Sequence, residues 1–109
     1  MANGDVTVFD RDGSTGPWHA IQMREVRETL GGRTYGVVYD PTISAGASDY
    51  GPFTVPGGTF FALGDNRDRS FDSRSFGPVP LESYIGRADS VWWSWGPEGL
   101  RLARLGLRL

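Results

Sequence analysis

At 109 residues the chain has the size of one small domain with a single, modest core. Apolar residues at 39%, with 16 Gly and 7 Pro, exclude disorder and favour short strands joined by many turns. A formal charge of −2 without a long basic run excludes nucleic acid as a partner, and the absence of Cys excludes disulfides, thiolate catalysis and thiolate metal sites. The N-terminus lacks the cationic and apolar regions of a signal peptide, and no apolar run approaches the ~18 residues of a spanning helix, so a soluble chain is expected.

Val6 to Phe9 and Trp18 to Met23 are β-forming and flank the turn residues Asp10 to Ser14, which predicts a hairpin with a long loop. Arg24 to Leu30 and Arg33 to Tyr39 flank Gly31-Gly32, a pair able to adopt the positive φ of a two-residue hairpin turn. The stretch 39–52 carries Gly, Ser, Asp and Pro with little periodicity and reads as a surface loop. Val55-Pro56-Gly57-Gly58 predicts a turn feeding Thr59 to Leu63 as a buried strand. Val79 to Ile85 reads as a short helix begun near Pro80 and stopped by Gly86, with a strand as the alternative. Ser90 to Trp95 is β-like, and the Leu/Arg tail Gly99 to Leu109 is expected to form a half-buried final strand.

Between these elements lies the densest polar cluster, Gly64 to Arg74, in which Asp65, Asp68 and Asp72 interleave with Arg67, Arg69 and Arg74. On residue chemistry alone this is a self-bonded structural loop, its charges pairing with each other and its Asp, Asn and Ser side chains satisfying the backbone. A calcium loop fails, because Arg67 and Arg69 occupy places where oxygen ligands are needed. Asp10 and Asp12 before Gly13 belong to a turn, and His19 lies beside Trp18 with no evident partner, so no metal site and no cofactor are predicted. All 11 basic residues are Arg, which closes any lysine general base or Schiff base to these 109 residues alone.

The segment Gly64 to Gly77 (GDNRDRSFDSRSFG) resembles the C-terminal signature of bacterial type I signal peptidases, membrane-bound serine endopeptidases that cut signal peptides from exported proteins. The resemblance extends through Val79-Pro80 and Ile85 to Ala88, back through Phe53 to Pro56, and to RETLGGR at 27–33 and the closing GLRLARLG. It implies a mainly β, signal-peptidase-like or LexA-like fold. Residues 1–52 would belong to the inserted second β domain, and residues 53–109 to the C-terminal part of the catalytic β domain. In the family a serine attacks the scissile carbonyl and a neutral, buried lysine takes its proton. The motifs around both are absent here, so the resemblance implies a chain beginning just after them and inactive by itself.

By the same resemblance, Ser70 matches the serine that aims the lysine amine, and Gly64 matches a glycine whose missing side chain lets that lysine pack close. Asp72 and Arg74 match an ion pair behind the active site, while Asp65 and Arg67 match residues that hold the loop's shape. Arg69 stands where a small amide is expected. The implied partners are preprotein signal peptides, the missing N-terminal half, and a membrane surface met by Trp92, Trp93 and Trp95; core packing competes for the tryptophans. The family is anchored in the cytoplasmic membrane with this part on its periplasmic or outer face. Missing strands would also leave open edges that favour a homodimer by strand exchange. Two rival readings stand beside this one: a non-catalytic envelope binding module that retains the fold, and a purely structural domain.

Overall fold

The computed structural model describes residues 4–44, 46–47 and 49–109. Its regular elements are strands with very little helix: β1 (Gly4–Arg11), β2 (Trp18–Leu30), β3 (Arg33–Tyr39), β4 (Thr59–Phe60), the short helix α1 (Ser73–Phe76), β5 (Val79–Pro80), β6 (Trp95–Gly96) and β7 (Gly99–Leu100). The main sheet has the order β1-β2-β3, and β4-β5 and β6-β7 form two-stranded ladders. The chain divides into two compact units, Met1–Val8 with Gln22–Tyr84 and Phe9–Ile21 with Ile85–Leu109.

In the first unit the β2–β3 hairpin follows the predicted course. Leu30 pairs with Arg33 across Gly31-Gly32, whose φ values of 56° and 76° lie in the region open to glycine but costly for other residues. Val26 faces Val37, and the side chains of Met23 and Val37 are 1% and 2% exposed, forming the apolar core. Alternation along the strand is what places one face inward. Of the loop predicted over 39–52, positions 45 and 48 lie outside the described residues.

The predicted buried strand Thr59 to Leu63 is shorter and less covered than expected. Its turn forms as predicted, with Thr59 N–H bonded to Pro56 O at 3.2 Å and Gly58 at φ 76°. The ladder spans only Thr59 and Phe60, opposite Pro80 and Val79, and Leu63 is 48% exposed. Pro80 has no N–H to continue pairing, and a 3₁₀ turn at Leu81–Ser83 carries the chain away. The same turn replaces the helix predicted over 79–85, because Pro80 is extended rather than helical.

In the second unit Asp12 O accepts the Gly16 N–H at 3.0 Å, and Arg11 lies over the Trp18 ring at 5.3 Å. His19, read as lacking a partner, faces Asp12 at 2.9 Å; the loop folds back between them and hides the pairing from a linear reading. The tail is not one strand. Gly99 and Leu100 pair with β6, Leu102–Arg104 is a 3₁₀ turn, and Gly106, at φ 79°, bends the chain so that Arg108 bridges to Ser90. Trp92 is 84% exposed and Trp93 and Trp95 are 55% exposed each.

Candidate functional site

The polar segment 64–77 folds around the carboxylate of Asp72, which is 5% exposed. One oxygen, Oδ2, accepts the Gly64 N–H at 2.9 Å and Arg74 Nη2 at 2.8 Å. The other, Oδ1, accepts the Arg74 backbone N–H at 3.1 Å, capping α1, and Arg74 Nε at 2.9 Å. The Ser70 hydroxyl lies near enough to this carboxylate to help lower it. Arg74 above all, together with these N–H donors and the Ser70 hydroxyl, holds the Asp72 carboxyl well below the usual carboxylate range against the opposing effect of burial.

Gly64 occupies the tightest place in the loop. A methyl group added there would collide with Ser70 Oγ and come within 2.5 Å of Ser70 Cβ, so the hydroxyl rests directly against the glycine backbone. The carbonyl of Gly64 accepts Arg67 Nε at 3.0 Å. Ser73, fully buried, closes the loop onto the approach strand: its hydroxyl accepts the Ala62 N–H at 2.9 Å and its N–H bonds Ala62 O at 3.0 Å.

The loop is also stitched to β2 and β3. Val38 N–H bonds Asp65 O at 2.8 Å and Arg67 N–H bonds Val38 O at 2.9 Å, a parallel bridge centred on Asn66. Arg67 makes a two-pronged ion pair with Glu28 of β2, Nη1 lying 3.0 Å from Oε1, and Tyr35 of β3 donates to Glu28 Oε2 at 2.8 Å. The Arg67 fork, foremost among these, draws the Glu28 carboxyl below its ordinary value. Arg69 reaches Asp40 with Nη2 at 2.7 Å, and Asp68 Oδ2 accepts the Asp40 N–H at 2.7 Å. Thr42, ahead of Arg69, lowers the Asp40 carboxyl to about 2 by donating both its hydroxyl and its N–H.

The self-paired reading of this loop is therefore corrected. Asp72 with Arg74 is internal, but Arg67 and Arg69 spend their charge on Glu28 and Asp40, 39 and 29 residues away in sequence. The balance of three Asp against three Arg concealed that need. Glu28, Tyr35 and Asp40 were not singled out by sequence reasoning; Tyr35 lies opposite Glu28 in the hairpin register, which is the signal a strand alignment offers. Asp65 contributes its backbone carbonyl to the bridge. Asn66 Oδ1 is buried without a hydrogen-bond partner among the described residues.

A hollow of about 280 Å³ opens beside Ser70, lined also by Asp49, Tyr50, Arg67, Asp68 and Arg74. Among the described residues no group of His, Cys, Asp and Glu is arranged to hold a metal ion, and no helix is long and apolar enough to cross a membrane.

Residues 3–93 match the family described as signal peptidase, peptidase S26. The chain belongs to this family. It is 39% identical over 100 residues to signal peptidase I of Rickettsia typhi and 41% identical over 100 residues to that of Rickettsia akari, in both cases over 82% of this chain. Signal peptidase I of Buchnera aphidicola subsp. Schizaphis graminum is 30% identical over 103 residues. The chain spans 38% of the length of the two Rickettsia relatives and 33% of the Buchnera one. It is thus a signal peptidase I region, of mainly β fold as the resemblance implied.

Proposed function

We propose that residues 64–77 are the supporting loop of a signal peptidase active site whose nucleophilic serine and lysine base lie outside these 109 residues. Ser70 is the positioning group. Its hydroxyl lies against the Gly64 backbone near the Asp72 carboxylate, and its oxygen can accept a hydrogen bond. A neutral lysine amine that donates one N–H to that oxygen has its lone pair directed elsewhere, toward the serine hydroxyl it deprotonates as that serine attacks the scissile carbonyl. Gly64 leaves room for the approach, and Arg74 keeps the neighbouring Asp72 carboxyl ionised. The observation carrying this reading is the seating of Ser70 against Gly64, whose N–H the Asp72 carboxylate holds. With no lysine in the sequence, the chain alone is inactive.

The remaining expectations are parts of the same proposal. Residues 1–52 form part of the inserted β domain and residues 53–109 part of the catalytic one. Preprotein signal peptides are the substrates of the whole enzyme, which is anchored in the cytoplasmic membrane with this part on the outer face. The exposure of Trp92, Trp93 and Trp95 supports a contact with the membrane surface. The many exposed apolar side chains of the chain alone, Leu63, Phe71 and Ile85 among them, support a homodimer formed by strand exchange.

The test uses a fluorogenic signal-peptide substrate and a serine-directed probe. The 109-residue chain should neither cleave nor be labelled. Joined to the Ser/Lys-bearing portion of a related signal peptidase I it should cleave, and Ser70→Ala should lower kcat at least about tenfold. Robust cleavage by the chain alone refutes the proposal. A joined enzyme that never cleaves supports the non-catalytic binding module instead.

A further inference from the structure

We propose that Glu28 is a positioning residue that sets the place of Ser70 through Arg67 and Gly64. The proposal rests on the reading of the loop as an active-site support and adds a residue outside the signature to it. Gly64 is held through both peptides that flank its Cα: Asp72 accepts from its N–H, and Arg67 Nε donates to its carbonyl at 3.0 Å. Asp72 is fixed within the loop by Arg74. Among the described residues of the loop no carboxylate bonds the Arg67 fork, and the two carboxylate oxygens of Glu28, near the hairpin end of β2, supply that anchor.

Three features make this a geometric lever. The Arg67 side chain is only 11% exposed, so its fork is not simply solvated, whereas an exposed pair would be worth little. Glu28 is aimed by Tyr35, which donates to Oε2 and leaves the carboxylate one favoured orientation toward the fork. Finally, Ser70 Oγ lies against Gly64 so closely that a movement of the Gly64 peptide must be transmitted to the hydroxyl. Two parallel N–H···O bonds fix both the direction and the roll of the guanidinium, and with them the aim of Nε at the Gly64 carbonyl. Glutamine in place of Glu28 keeps the shape but can accept only one of the two prongs, and it leaves the cation unneutralised. Lysine in place of Arg67 keeps the charge for Glu28 but has no Nε to give Gly64.

The experiment has two arms. In the ¹⁵N-labelled 109-residue chain, Glu28→Gln and Arg67→Lys should both shift the Gly64 and Ser70 amide resonances and speed Gly64 amide exchange, while the Arg74 amide, held by Asp72, stays protected. In the enzyme joined as above, Glu28→Gln should lower kcat about tenfold with KM unchanged, and adding it to Ser70→Ala should cost nothing further, since both act on one group. The proposal is overturned if a folded Glu28→Gln chain leaves the Gly64 and Ser70 amides unmoved, or if its kinetic loss adds to that of Ser70→Ala. Should Glu28→Gln not fold, Arg67→Lys carries the same readouts. A joined wild-type enzyme without activity removes the signal peptidase reading, while the amide arm still decides the role of Glu28.

Discussion

Asp72→Ala is the perturbation that most directly tests how the loop is held. The carboxylate is 5% exposed and the Arg74 side chain 13%, so its removal takes from a poorly solvated guanidinium the carboxylate that both Nε and Nη2 bond. Breaking one side of such a pair costs ~3–5 kcal/mol, a range that already contains the ~1 kcal/mol lost with the α1 cap. Against a total stability of ~5–15 kcal/mol for a domain of this size, that is a large fraction. Urea unfolding followed by tryptophan fluorescence reads it out, since an m-value of about 2 kcal/mol/M converts the loss into a fall in midpoint of roughly 1.5–2.5 M. The companion variant Asp72→Ala/Arg74→Met should recover part of the loss, because the poorly solvated charge deprived of this carboxylate, not the missing bond, dominates the cost. A fall below about 0.5 M, or a double variant weaker than the single one by the full Arg74 contribution, refutes the reasoning.

Stability should depend on pH in the acid range. The carboxyls of Glu28, Asp40 and Asp72 are all held below their ordinary values, so below about pH 4 the unfolded chain binds more protons than the folded one. The stabilisation is present above that value and is lost as pH falls toward about 2, where Asp40 titrates in the folded chain; urea midpoints across this window check it, and Asp40→Asn should flatten the profile. Gly31→Val should destabilise by about 1–2 kcal/mol while Gly31→Asn costs less, because the position has φ 56° and open space for a side chain, leaving backbone strain as the difference. Met23→Ala should cost ~2–5 kcal/mol in the same assay, Met23 being 1% exposed and one of two buried apolar side chains among the described residues. Gly64→Ala should abolish the cleavage of the joined enzyme more completely than Ser70→Ala, because it displaces the hydroxyl rather than removing it.

By itself the sequence determined the family, the β class and the elements whose signals are local. Gly31-Gly32 between alternating strands needs no distant partner to become a turn, and Val55 to Gly58 likewise carries its own turn chemistry. The signature at 64–77 was legible because it is contiguous, and the absence of lysine is a matter of composition. The length of β4, the fate of the Leu/Arg tail and the partners of Arg67 and Arg69 were decided by tertiary structure. Each depends on a group far away in the chain: Pro80 ending a ladder, Gly106 returning the tail to Ser90, Glu28 and Asp40 receiving charges that by count alone match the loop's own aspartates. Charge balance within a segment says how many partners exist, but the direction of each side chain, fixed by the bridge between Val38 and Asn66, says which partners are reached.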